Sequence, residues 1–308
     1  QGLLNPGVIL NDDPQSHLKN LKPLPAADPL VDKCIECGFC EPKCPSRGLT
    51  LSPRQRIVGW REIARLDATG TEPQRSASLK QLYDYQGMDT CAACGLCATA
   101  CPVHIETGLL IKALRGRRAG PLAHQVAGVA ARHYATLTTG VRLGLGAADL
   151  LHGLVGTAAM KGTLDGLRKA SGGRLPKWSP ALPRPVHFVP PTTPLLRDRR
   201  VVYFPSCAAR NMGAQRGHEG TDMLPTVAQR LFERAGFDVV YPGAMDGLCC
   251  GQPFESKGLM DAANRKSAEL EAALAEASQG GKWPIVFDTS PCAYRMKKFC
   301  GTRLAVHD

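Results

Sequence analysis

The chain has 308 residues, enough for two or three small domains, and its 38 Lys and Arg outnumber 27 Asp and Glu to leave a formal charge of +11. Nucleic-acid binding is one use of such an excess, but no aromatic-basic stripe or nucleic-acid motif accompanies it. No uninterrupted apolar run of 18 residues occurs, so no spanning helix is expected. The 13 cysteines are odd in number and clustered, which speaks against a secreted disulfide framework and for a reducing compartment, the cytoplasm.

Residues 1–32 are proline-rich and without a sustained period, so they read as an extended connector. The chain opens on Gln1 and stops at Asp308 just after an apparent strand, which gives the expectation of a piece of a larger polypeptide.

Next comes a pattern that occurs twice. Cys34, Cys37, Cys40 and Cys44 precede Pro45, and Cys91, Cys94, Cys97 and Cys101 precede Pro102. Each copy reads C-x-x-C-x-x-C-x-x-x-C-P, the run that holds [4Fe–4S] cubanes in bacterial-type ferredoxins, where the fourth cysteine serves the other cluster. The expected ligand sets are therefore Cys34, Cys37, Cys40 and Cys101 for one cluster, and Cys91, Cys94, Cys97 and Cys44 for the other. Structural zinc is the competing use of thiolates, but it is typically held by two C-x-x-C pairs across a longer spacer. Two oxidised cubanes with their thiolates would lower the formal charge to about +7.

Between the two runs the pattern is helical. Ser52-Pro53 is a cap-and-first-turn signal, and Ile57, Trp60, Ile63 and Leu66 follow at helical spacing. Further helices are expected at Ser76–Tyr85 and Ile105–Arg115. Duplication with intervening helices predicts an α-helical two-cluster ferredoxin over residues 33–118. Lys33 and Lys43 flank the first run, whereas Ala92, Ala93, Ala98 and Ala100 surround the second. The cluster on Cys34, Cys37 and Cys40 is therefore expected to have the higher potential. His104 reads as a surface or satisfied histidine.

Residues 119–199 form a helical and proline-rich linker. Helices are expected near 121–136 and 141–160, interrupted by glycines and covering a core; a docking or membrane-surface role, with Arg132, His133, Arg142 and His152 on the polar side, is the alternative. Leu175–Pro194 reads as loop. From residue 200 to 308, strands at 201–204, 237–241, 285–287 and 304–306 alternate with helices at 226–235, 255–278 and 294–299, which predicts a parallel α/β sheet.

Cys207, the Cys249-Cys250-Gly251 triplet and Cys292 each fall beyond the carboxyl end of one of these strands, the edge where open α/β sheets place ligands. They are candidates for a third metal centre, with reduced thiols as the alternative, while Cys300 reads as an ordinary buried thiol. The arrangement resembles the cysteine-rich CCG domain of heterodisulfide reductase and of iron–sulfur subunits of glycolate, lactate and anaerobic glycerol-3-phosphate dehydrogenases. That family normally carries two CCG motifs, each ending in C-x-x-C. Here there is one, and Thr289 replaces the first cysteine of the closing pair Thr289-Ser290-Pro291-Cys292.

A wider resemblance runs along the chain. Gly2-Leu3-Leu4-Asn5-Pro6-Gly7 looks like the closing segment of FAD-linked D-2-hydroxyacid oxidases. The stretch Leu30–Pro42, then Leu51–Arg56, Phe204–Cys207, Cys249–Phe254 and Ser290–Arg295 are similar to the iron–sulfur half of large bacterial fusions of the D-lactate and D-2-hydroxyglutarate dehydrogenase type. The resemblance implies FAD on a preceding domain or partner chain, with no catalytic residue here. It implies electron flow through two [4Fe–4S] clusters to a quinone or redox protein, and a cytoplasmic protein in peripheral contact with the inner face of the membrane. The alternatives are a separate iron–sulfur subunit of a glycolate oxidase or heterodisulfide reductase-like complex, and a non-redox zinc scaffold.

Overall fold

The computed structural model describes residues 26–173, 175, 177–191, 196–218, 220 and 222–308. Most of the expected connector, including Gly2 to Gly7, lies outside them. The chain divides into two compact units, residues 1–114 and 115–308.

The first unit is helical. Helix α1 (Pro53–Thr69) opens on a capping box: Ser52 Oγ accepts from the Gln55 amide (3.3 Å) and Gln55 Oε1 from the Ser52 amide (2.8 Å). Such a cap contributes roughly 1 kcal/mol. Gly70, at φ 64°, ends the helix in the left-handed conformation glycine adopts without strain. Helix α2 (Pro73–Tyr83) starts earlier than expected and passes into a π-helical stretch, Asp84–Asp89, rather than ending at Tyr85. Here the backbone makes room for a ring, since a Cβ on Gly87 would lie 2.7 Å from the Tyr83 ring carbons. Helix α3 (Thr107–Arg118) follows the second cysteine run. The core of the unit is built from Val31, Ile57, Ile63, Tyr83, Leu110 and Ile111.

In the second unit, α4 (Pro121–Arg132) leads into α5 (Tyr134–Ala170). The glycines expected to interrupt this region do so only at Gly156, whose φ 75° and ψ 169° break the helical path. Helix α5 is long and apolar enough, by length and composition alone, to cross a membrane, although no unbroken apolar run exists. The expectation that this region covers a core fails, for only 6% of the helix's most apolar stretch is buried.

The loop expected over Leu175–Pro194 contains a short strand, β1 (Pro183–Pro185), which pairs antiparallel with β3 (Met212–Gln215). The main sheet comprises β2 (Arg200–Phe204), β4 (Asp238–Val240), β5 (Ile285–Phe287) and β6 (Val306–His307), all parallel, in the order β4-β2-β5-β6.

Alternation along β2 explains why both faces are covered. Val202 and Phe204 point into one layer with Leu270, Leu274 and Met296. Val201 and Tyr203 point into the other, against Ala228 and Phe232. The helices supplying those layers are α6 (Leu224–Arg234), α7 (Met260–Ala277) and α8 (Ser290–Cys300). The expected helix over 255–278 is thus two pieces, a turn at Gln252–Glu255 and then α7. Helix α8 begins at Ser290, so Cys292 lies in its first turn.

Candidate metal centres

The two cysteine runs fold alike. Glu36 (φ 59°) and Ala93 (φ 50°) precede the second cysteine of their runs, and Gly38 (φ 84°) and Gly95 (φ 80°) follow it, all in the left-handed region. Left-handed residues at these points let successive backbone amides turn toward one anionic centre. One such amide, that of Ala93, reaches Cys91 Sγ at 3.4 Å.

Cys34, Cys37, Cys40 and Cys101 line one cavity together with Arg54, Ile57 and Ile105. Cys44, Cys91, Cys94 and Cys97 line a second with Arg56, Thr107 and Gly108. Each cavity draws three cysteines from one run and the last from the other, and the donor set suits a thiolate-held cluster. Among the described residues no group of three or more Cys, His, Asp or Glu is gathered around a single point.

Helix termini contribute as well. The Arg54 amide, in the first turn of α1, donates to Cys40, and the Thr107 and Gly108 amides, in the first turn of α3, donate to Cys97, as does the Thr107 hydroxyl. Amides at a helix N-terminus stabilise anions. Burial outweighs them for the bare thiols: it pushes Cys40 up to about 11 and Cys97 upward.

Arginines are what sequence reasoning missed. Arg56 is buried, and its Nη1 lies 3.8 Å from Cys44 Sγ. Arg61, also buried, pairs with Glu36 at 2.8 Å and donates to the Cys34 carbonyl at 3.0 Å. The signal was present in α1, whose first turn carries Arg54 and Arg56 and no acidic residue. Cations there oppose the helix dipole. Lys33, Lys43 and His104 are exposed.

In the second unit the four remaining candidates come together beyond the carboxyl ends of β2, β4 and β5. Cys207 hydrogen-bonds Cys249, Cys249 adjoins Cys250, and Cys250 Sγ lies 3.2 Å from Cys292 Sγ. Gly251, at φ 86°, donates its amide to Cys249 Sγ at 3.4 Å. The Tyr134 hydroxyl, from the start of α5, bonds both Cys207 and Cys249. Buried Arg210 donates Nη2 to the Leu248 carbonyl at 2.7 Å and its charge acts on Cys207 and Cys249. The Cys249 bond and then burial raise the Cys207 thiol, while the Cys292 thiol and burial raise Cys250 against the opposing Cys249 bond. Tyr134 and Arg210 carried no motif. Cys300 is buried, close to Glu271 and Arg303.

Geometry and chemistry together define an iron–sulfur electron-transfer module followed by a cysteine-rich α/β domain. Comparison with known families agrees: residues 30–105 match the 4Fe-4S dicluster domain and residues 201–297 the cysteine-rich domain. The chain is similar to one of the subunits of dihydromethanophenazine:CoB--CoM heterodisulfide reductase. Identity is 32% over 95 residues with the Methanosarcina barkeri protein and 33% over 98 residues with that of Methanosarcina mazei. Each match covers 28% of this chain and 23% of the relative, so the matched part is about a quarter of the relatives' length. No solved structure matches the chain.

Proposed function

We propose that this chain is the electron-carrying part of an FAD-dependent D-2-hydroxyacid dehydrogenase acting on D-lactate or D-2-hydroxyglutarate. What supports the carrier role above all is the lining of two cavities by interleaved cysteine quartets. Cys34, Cys37, Cys40 and Cys101 would hold one [4Fe–4S] cluster, and Cys91, Cys94, Cys97 and Cys44 the other. When bound, such clusters supply outer-sphere one-electron transfer.

The chain's own residues hold and shield them. The amides of Arg54, Thr107 and Gly108 stabilise thiolate at Cys40 and Cys97. Ile57 and Ile105 keep water from the first cavity. No general acid or base is needed. Substrate oxidation would belong to a flavin domain or subunit, and the resemblance of Gly2 to Gly7 to the end of such a domain supports that source.

A second reading is a component of a heterodisulfide reductase-like complex, which the similarity to the Methanosarcina reductases favours. In the first reading the partners are a flavoprotein and a quinone or redox-protein acceptor.

Peripheral contact with an anionic membrane is supported by α5. Before Gly156 its two charged residues are both paired: Arg142 bonds Asn211 at 2.7 Å, and Asp149 pairs with Arg184 at 3.2 Å and Arg216 at 2.8 Å. Meanwhile Leu143, Leu150 and Leu154 are 71%, 65% and 76% exposed. That is the inverse of a water-facing helix, and the basic excess of the chain suits anionic lipid.

The native complex tests the reading. Purified anaerobically, it should carry about eight irons per copy of this chain and absorb broadly at about 400 nm. D-lactate or D-2-hydroxyglutarate should bleach that band. Indifference to both hydroxyacids, with the band of the dithionite-reduced complex restored by a small disulfide, would replace the dehydrogenase reading with the second one.

A further inference from the structure

The two cavities differ in how their cations are compensated. At the first, Arg54 lines the wall but is bound through Nε to Glu41 Oε1 at 2.9 Å, and Arg61 is bound to Glu36 at 2.8 Å. Each guanidinium there comes with a carboxylate. At the second, Arg56 is 1% exposed and donates Nε to the Gly87 carbonyl (2.8 Å) and Nη2 to Thr90 Oγ1 (3.2 Å). Its Nη1 faces Cys44 Sγ at 3.8 Å. Among the described residues no carboxylate pairs with it.

A guanidinium cannot shed its proton, and a buried charge without a counter-ion is costly. The lining of the second cavity contains no Asp or Glu, so its thiolates are the anions available to Arg56. The lysines beside the first run are exposed, where water and salt screen them. Adding an electron adds negative charge, and an uncompensated cation in a buried site favours that state more than screened ones do.

We infer that Arg56 sets the order of the two sites, making the cluster on Cys44, Cys91, Cys94 and Cys97 the one of higher potential. This rests on the two-cluster reading and reverses the order expected from Lys33 and Lys43.

The experiment is an anaerobic redox titration of the iron-loaded protein followed by EPR, with Cys37→Ser and Cys94→Ser used to assign the two signals. About eight irons and two signals establish the underlying reading, and their absence would refute that reading by itself. With both present, the Cys94-linked signal should titrate at the higher potential. Arg56→Gln should lower its reduction equilibrium at least tenfold, ~59 mV for a one-electron couple, leave the other signal in place, and be largely rescued by Arg56→Lys. Glu41→Gln, on the partly exposed pair, frees Arg54 of its counter-ion and should raise the Cys37-linked signal. A Cys94-linked signal of lower potential, or one unmoved by Arg56→Gln, overturns the inference. Should the glutamine variant not hold both clusters, a Cys37-linked signal that fails to rise in Glu41→Gln overturns it.

Discussion

Cys40 and Cys97 are structural counterparts: each is the third cysteine of its run, and each accepts backbone amides from the first turn of a helix, α1 for Cys40 and α3 for Cys97. The duplication thus extends beyond cysteine spacing to the donors that steady the thiolates. Gly108 packs tightly against the second run, since a Cβ there would lie 3.2 Å from Ala93 Cα. Gly108→Ala should push that loop outward and leave the first alone. Iron should fall from about eight toward four per chain, with the Cys94-linked EPR signal lost and the Cys37-linked signal kept. Equal loss of both signals would show that Gly108 serves the unit as a whole.

Glu41 gives the first unit a pH dependence of known sign. The Ser52 hydroxyl donates to it at 2.7 Å, and with the Arg54 guanidinium it holds the carboxyl below its ordinary value of 4.5. A folded-state pKa lower than the unfolded one contributes stability that is complete above the unfolded value and lost as pH falls through the folded value. Thermal unfolding should therefore show the α1 end loosening as pH drops below about 4.5, and Glu41→Gln should flatten that part of the profile. The pair is partly exposed, so the effect should be small and weaken with salt.

Gly251 is held by two constraints at once. Its φ of 86° is strained for any other residue, and a Cβ would collide with the Ala263 carbonyl of α7. Gly251→Ala should cost about 3 kcal/mol or more in urea unfolding. Its effect should be confined to the second unit, with the iron of the first retained.

The exposed leucines of α5 predict a surface phenotype without a folding one. Leu150→Ser with Leu154→Ser removes side chains already 65% and 76% in water, so the melting temperature should hold. Burying one leucine is worth about 1.5–3 kcal/mol. Flotation with vesicles containing anionic lipid should therefore fall at least tenfold, and an unchanged bound fraction would remove the membrane contact from the proposal.

How much of this was legible in the sequence depends on the range of the interaction. Cysteine spacing, the Ser52 cap and the strand–helix rhythm are local patterns, and these were legible. The helices of 119–199 were misjudged because glycine is a weak helix breaker where the helix continues on both sides, costing about 1 kcal/mol each, so that only Gly156 yields. β1 was invisible because its pairing with β3 is set by chain return, not by alternation. Arg56, Arg210 and Tyr134 are single residues with no motif, and folding is what carries Arg56 to Cys44, Tyr134 to Cys207 and Cys249, and Arg210 to Cys249.

Cys250 and Cys292 offer the sharpest test of what the second unit holds. Their sulfurs lie 3.2 Å apart and buried, and against the opposing Cys249 bond the Cys292 thiol and burial raise Cys250. Thiolate is the attacking species in exchange, so oxidation should be slow at neutral pH and speed up as pH rises. Treatment of the iron-loaded protein with diamide should then convert the two thiols to a disulfide, with two electrons and two protons passing to the reagent. Alkylation and peptide mass would show the loss of two hydrogens in the Cys250–Cys292 pair, and Cys292→Ser should abolish it. If both thiols stay protected and iron exceeds about eight per chain, they hold a further iron–sulfur centre instead.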